Sequence, residues 1–409
     1  MDLSPEQQLL LLCSRTYMSE EVIQKVKDIL RPDLDWDQFI EDSCKHGVAP
    51  LVYLSFQKID PKTKIIPNQV FQRLKNAYYT NLRYNTLLYR ELNKVLSAFK
   101  SEGVQVILLK GAALAELVYK NIALRSMSDI DILVKQKDLS TVEKILRQLH
   151  YRLSPYVLPS SKWYIWVEHV PPYIKSNDIT IRIEIHLDIA THYKANIQTT
   201  KVWENALPVT IAGVNNVLVL PPEELLIRLC LHASKHIYNG DEGNLRWWCD
   251  IAEVERCYRK EIDWEYITRI SRKYKIQVPI YHSLYFVREW LDAAIPENIL
   301  RKLKPPLFII SVKDFSKAVI DSKPYFQIWV WMKSYFPLPG MGCRILNKSY
   351  YTFRILFPAK EFMMHHYSIK RPILVYFYYL VRLFTGLRIL CRTFCKNLWK
   401  EIPFKGIKK

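Results

Sequence analysis

The stretch "VILLKGAALAELVYKNIALRSMSDIDILV", residues 106–134, decides the fold. It starts as a short apolar run that ends in Lys110-Gly111. "AALAELVYKN" (112–121) then has the spacing of a helix, and "SDIDILV" (128–134) reads as a second strand. That second strand carries two acids, Asp129 and Asp131, one position apart. Side chains alternate along a strand, so both carboxylates are expected on one face, roughly 7 Å apart. Like charges held side by side need compensation from water, from Lys and Arg neighbours, or from a metal. Taken alone, D-x-D is most often a solvent-facing strand, and Lys-Gly is a common plain turn.

Working outward, "KDLSTVEKILRQLH" (137–150) has helical spacing, with Ser140 and Glu143 as a capping box. "PPYIKSNDITIRIEIHLDI" (171–189) reads as two strands around Ser176-Asn177-Asp178. In the second, Ile181, Ile183, Ile185 and Leu187 alternate with Arg182, Glu184, His186 and Asp188. The polar set is either the wet face of an amphipathic strand or a source of a third acid. If the two acidic strands are sheet neighbours, Asp129, Asp131 and Glu184 converge at one edge. Three carboxylates form a hard-oxygen site suited to Mg²⁺, with Mn²⁺ as the alternative. Such metals can clamp the attacking and leaving oxygens of a phosphoryl or nucleotidyl displacement. Asp129 and Asp131 are then the metal ligands, and Glu184 completes the site or accepts a proton from the acceptor hydroxyl.

The strand–KG–helix element supplies the phosphate side. Gly111 lets backbone approach a phosphate, the following helix start attracts anions, and Lys110 adds a point charge. Arg125, four residues before Asp129, contacts phosphate or neutralises the acids. The order of these elements, more than any one of them, points to a metal–nucleotide site.

Residues 1–102 read as a helical N-terminal unit, opened by Ser4-Pro5-Glu6 and closed by a long helix over 67–100. Residues 103–218 form the expected core with the catalytic sheet. Residues 219–306 return to helix, and 307–409 are basic and aromatic-rich. The fold class expected is mixed α/β (α+β), a small mixed sheet flanked by helical units. Gly is scarce at 10 residues, and neither a dinucleotide-binding nor a P-loop glycine pattern occurs. The eight cysteines form no CxxC pair, which fits free thiols in a reducing compartment. The N-terminus lacks signal-peptide character, and the longest uncharged apolar run, 372–381, is too short for a span. A cytoplasmic protein, peripheral at a membrane at most, is expected.

The net charge is +19, and residues 301–409 hold 21 Lys+Arg against 4 Asp+Glu, so nearly all the excess lies in the last quarter. That asymmetry favours anionic partners. The stripe Arg382, Arg388, Arg392, Lys396 and Lys400 suits an acidic membrane surface, an RNA patch, or the outer face of a core helix. Lys360, His365 and His366 in this tail read as solvated surface. His232 and His236 have a metal-ligand spacing, but residue 233 is Ala and no third ligand is evident, so zinc is disfavoured. Packing, or nucleotide contact by His236, is the better reading, with Arg246 and Asp250 as nearby polar candidates.

The stretch 106–134 followed by "IRIEIHLDI" (181–189) resembles the nucleotidyltransferase fold of the DNA polymerase beta superfamily. In particular it is similar to a bacterial group described only as uncharacterised nucleotidyltransferases. "LKG", "SDIDILV", a strand of the type E-h-H and the helix pair "LCLHASKHIYNGDEGNLRWWCDIAEV" carry the resemblance, which also touches "FPAKEFMMHHYSIKRPILVYFYYLVRL" in the tail. It implies Mg²⁺-dependent transfer of a nucleoside monophosphate from an NTP such as ATP to a small-molecule or protein acceptor, with no obligate protein partner. The implied site adds His186 as a substrate contact. The superfamily's second Gly, or Ser, after the first strand is Ala112 here. It offers no hydroxyl, so Lys110 or backbone must hold the phosphate. The gap to Asp129 is also longer than usual. Two rival readings are an idle nucleotide-binding or membrane-associated module and an RNA-modifying nucleotidyltransferase.

Overall fold

The computed structural model describes residues 3–59, 65–154, 171–176, 178–187, 199–239, 243–305, 312–321, 374 and 376–380. The chain divides into two compact units, Met1–Trp331 and Met332–Lys409. In the second unit the described residues are Leu374 and a helical stretch over 376–380. The expectations for Lys360, His365, His366 and the stripe from Arg382 to Lys400 lie outside the described residues. Among the described residues no helix is long and apolar enough to cross a membrane.

In the first unit, Ser4 caps α1 (Pro5–Cys13) with a full capping box, its Oγ accepting the Gln7 N–H while the Gln7 side chain accepts the Ser4 N–H. Ser19 and Asp35 cap α2 (Glu20–Ile29) and α3 (Trp36–Lys45) in the same region, and α4 (Ala49–Ile59) is buried along most of its length. α5 (Asn68–Ser101) runs 34 residues and serves two cores. Val70 and Leu74 pack with the N-terminal helices, whereas Leu88, Leu92, Val95, Leu96 and Phe99 pack on the sheet. Each such side chain contributes roughly 1.5–3 kcal/mol by its burial.

Seven strands form one mixed sheet: β1 (Val106–Leu108), β2 (Ile130–Val134), β3 (Arg152–Leu153), β4 (Tyr173–Ser176), β5 (Thr180–His186), β6 (Leu207–Ile211) and β7 (Val214–Val219). Their order is β3-β4-β5-β2-β1-β7-β6. β1 is antiparallel to β2 and parallel to β7, and β2 is parallel to β5. α6 (Gly111–Leu117) links β1 to β2, and α7 (Leu139–Gln148) follows β2. After α8 (Thr199–Asn205) and the β6–β7 hairpin comes the helical side: α9 (Pro222–Asn239), α10 (Leu245–Tyr258), α11 (Trp264–Lys273), α12 (Gln277–Leu291), α13 (Glu297–Leu303) and α14 (Val312–Ile320).

The pleat explains the site. Ile130, Ile132 and Val134 of β2, with Ile181, Ile183 and Ile185 of β5, join the core shared with α5. Leu133 belongs to the other core, on the α9 side. Because side chains alternate, Asp131, Glu184 and His186 point to that second side. Both faces of the sheet are covered, so the polar face of β5, for which a wet face is one of two readings, is buried at Glu184 and His186.

Three local expectations are corrected. β2 begins at Ile130, so Asp129 sits just before the strand and Asp131 within it. Ser140 does not cap α7; Asp138 occupies the N-cap, without a side-chain cap bond, after a 3₁₀ turn over Gln136–Asp138. α6 starts at Gly111 and stops at Leu117, short of Asn121.

Candidate active site

Parallel pairing of β2 with β5 sets Asp131 directly opposite Glu184 and Leu133 opposite His186. The ligand atoms of Asp131, Glu184 and His186 lie within 4.8 Å of one another. Asp129, half-buried, borders the same cleft from the turn before β2. Lys110 lies two residues beyond β1, just before α6, and its Nζ donates to Asp131 Oδ1 at 3.0 Å. His186 Nε2 lies 2.7 Å from the same oxygen. Glu184 pairs with Arg182 at 2.5 Å. The cleft measures about 260 Å³, closed on its far side by His232, Lys235 and His236 of α9 and by Arg246 and Trp247 of α10.

The electrostatics of the two aspartates diverge. Burial alone would push the Asp131 carboxyl up, but the Lys110 charge and the His186 hydrogen bond overcome it and hold it well below the usual range. Asp131 is therefore an ionised acceptor, and His186 Nε2 must be the donor. Burial lowers the His186 imidazole to about 4, so the ring is neutral and its second nitrogen, Nδ1, is the acceptor facing Arg228 Nη2 at 3.4 Å. Asp129 moves the other way: burial raises its carboxyl, and the Asp131 charge adds to the rise. Burial, then the Lys110 charge, holds His232 well below its ordinary value.

The donor set fits a hard divalent cation. Two carboxylates in register and a third at the rim offer hard oxygen donors, and an ammonium already balances one of them. A cation there would also relieve the repulsion that raises Asp129. The His186 imidazole is a less apt ligand, because its cleft-facing nitrogen carries the proton given to Asp131. His232 and His236 lie edge to face at 4.8 Å, and His236 stacks on Trp247 at 4.2 Å. Among the described residues they belong to no group of three metal-binding side chains.

Other expected residues are divided between the cleft and its support. Gly111 lines the cleft; a Cβ there would lie 3.0 Å from Arg125 Nη1 and 3.2 Å from Met127 Cγ. Ala112 is buried in the sheet core and its carbonyl accepts the Tyr89 hydroxyl. Arg125 borders the cleft, yet its Nε and Nη2 donate to Asp250 at 3.2 and 2.6 Å. Asp250 is 1% exposed and also accepts the Tyr119 hydroxyl at 2.9 Å, so it lies behind the cleft, not in it. Arg246 donates to the Ser126 carbonyl at 2.7 Å; burial first, then the Arg125 charge, lowers it to about 10. Sequence reasoning missed Arg228 and Lys235. With His232 they fall at helical spacing in α9, a polar stripe on a helix otherwise rich in Leu and Ile. That stripe was the available signal.

Residues 32–292 match the model of a family described as uncharacterised nucleotidyltransferase. No curated protein matches the chain. Among solved structures, the chain is similar to the solution structure of antibiotic-resistance factor ANT(2'')-Ia, at 13% identity and a TM-score of 0.32, over 50% of this chain and 98% of that one. It is also similar to a crystal structure of ANT(2")-Ia in complex with adenylyl-2"-tobramycin, at 14% identity and a TM-score of 0.31, over 47% and 99% of the two chains.

Proposed function

Because this chain belongs to the uncharacterised nucleotidyltransferase family, we propose that it transfers a nucleoside monophosphate from an NTP to an acceptor hydroxyl, releasing pyrophosphate. The observation that carries this reading is the register of β2 on β5, which sets Asp131 opposite Glu184 with Lys110 on the same carboxylate.

In this reading Asp129 and Asp131 would hold Mg²⁺, and Glu184 would complete the site or serve as the base. When bound, Mg²⁺ would neutralise charge on the phosphate oxygens and make the acceptor hydroxyl more acidic. The chain's own residues do the rest. The acceptor oxygen bonds to the α-phosphorus as the bond to the pyrophosphate oxygen breaks, and the hydroxyl proton passes to Glu184. Lys110 moves between two anions, Asp131 in the free site and a phosphate in the filled one. Lys235 and Arg246 add positive charge on the opposite wall for the departing pyrophosphate. His236, on its Trp247 stack, contacts the nucleotide. His186 is a positioning residue: it donates to Asp131 while Arg228 holds its other nitrogen. Arg125 acts through Gly111, packing the turn that meets the phosphates.

The test is incubation with each NTP, labelled at the α-phosphorus, and with protein, RNA and small-molecule acceptors in turn. Label transfer that requires Mg²⁺ and disappears in Asp129→Asn and Asp131→Asn is the expected result. NTP binding without transfer to any acceptor would instead favour an idle nucleotide-binding module. Transfer confined to RNA would single out the RNA-modifying reading.

A further inference from the structure

A second, larger cavity of about 470 Å³ opens between α8, α9 and α11. Its volume falls in the range of small-molecule pockets, roughly 300–1,000 Å³. Val202, Ile227, Leu231 and Ile270 give it an apolar lining, and Tyr266 and Tyr274 add aromatic surface. Four cations border it, Lys201, Arg228, Arg269 and Lys273, against two acids, Glu204 and Glu224.

The two acids do not pair with Lys201, Arg269 or Lys273. Glu224 accepts from the Tyr266 hydroxyl at 2.8 Å and from Asn205 at 3.5 Å, both neutral groups. Glu204 is exposed at the rim. Arg269 lies over the Tyr266 ring at 5.3 Å and Lys273 over the Tyr274 ring at 5.3 Å. Among the described residues neither makes an ion pair, and neither does Lys201. Arg228, 3% exposed, sits deepest, with its Nη2 near His186. Two ring-held cations and Lys201 at the mouth of an apolar wall make a place for a ligand with an acid head and an apolar body.

We propose that this cavity binds a small amphipathic anion, a phosphate or carboxylate carried on an aromatic or aliphatic body. It is a site distinct from the acid cleft. Arg228 and His186, both almost fully buried, stand between the two. The acid cleft brings three carboxylates and four cations together, as a metal–nucleotide site needs, whereas this cavity pairs its cations with an apolar and aromatic lining.

The probe is phenyl phosphate, whose binding is followed by calorimetry on the full chain. Inorganic phosphate and benzyl alcohol serve as the charge-only and ring-only controls. The expected result is one saturable site, bound at least about tenfold more tightly than either control, and weakened at least about tenfold in Arg269→Ala/Lys273→Ala. Both substituted residues are exposed, so the variant keeps its fold, as circular dichroism can check. Mg²⁺–ATP should not displace the probe. Absence of binding, unchanged affinity in the double variant, equal affinity for inorganic phosphate, or displacement by Mg²⁺–ATP would each overturn the proposal. None of these outcomes depends on transfer activity, so this site and the proposed reaction stand or fall separately.

Discussion

At the residue scale, the site rests on how neighbours are shared between anions. Asp131 has two donors and Asp129 carries the repulsion, so the two acids differ in chemistry despite their matched place in the sequence. If His186 serves by orienting Asp131, a donor at the Nε2 position is what counts. His186→Gln should keep Mn²⁺ affinity, measured by the loss of the free-ion electron paramagnetic signal, near that of the natural protein. His186→Ala should weaken it by roughly 10–100-fold. Equal loss in both variants would mean the imidazole itself is a ligand. The Arg125–Asp250 pair makes a second prediction. Both side chains are buried, so Asp250→Ala strands a charge and should lower stability by about 3–5 kcal/mol in urea unfolding. Arg125→Met/Asp250→Leu should recover much of that loss, since an apolar pair of similar volume needs no compensation. No recovery in the double variant would show that the pair does more than balance charge.

At the element scale, what was legible in the sequence follows from local pattern. β1, β2, β4 and β5 announce themselves by apolar runs, and α5 by its long periodicity. The β6–β7 hairpin, which completes one side of the sheet, does not. Its two-residue turn is Ala212-Gly213, at φ 51° and 77°. Asn or Gly is the usual signal for the first of those positions, so Ala hides the turn. β6 also carries Pro208 and is largely exposed, so its apolar alternation is weak. Asp129 and Asp131 were legible as a pair, and the strand of Glu184 as their candidate neighbour, but the register was not, because pairing between distant strands is a tertiary outcome. Arg228 and Lys235 hid in α9 for a related reason: their role depends on which helix face meets the sheet. Packing of α14 against the rest of the first unit gives a further test. A Cβ on Gly243 would approach the Ala318 carbonyl oxygen to 2.9 Å and Val319 Cα to 3.2 Å, both backbone atoms of α14. Gly243→Ala should therefore displace α14 and lower stability by about 1–3 kcal/mol. Hydrogen exchange should show the loss of protection concentrated in 312–321; an unchanged α14 would contradict the close fit.

At the scale of the whole molecule, one buried histidine joins segments from across the first unit. His46 Nδ1 accepts the Leu245 N–H at 3.1 Å, and its Nε2 donates to the Ile320 carbonyl at 3.2 Å. Burial lowers its imidazole from 6.5 to about 4. The unfolded chain binds a proton at His46 below 6.5 while the folded chain resists until about 4. Its contribution is thus fully present above 6.5 and declines as pH falls toward 4. At pH 5 the loss from this one group is about 2 kcal/mol. His46→Asn should be less stable at pH 7 and should show a flatter decline to pH 5 in urea unfolding; parallel declines would remove His46 from the account. The reaction itself is also a property of the whole, since the sheet supplies the acids and α9 and α10 supply the opposite wall. The most direct test follows phosphorus from an NTP labelled separately at its α and γ positions, with a competent acceptor. The account predicts that the α label enters the acceptor, the γ label leaves in pyrophosphate, and Asp131→Asn slows both by at least about a thousandfold, equivalent to about 4 kcal/mol. Appearance of the γ label on the acceptor, or undiminished transfer in Asp131→Asn, would contradict it.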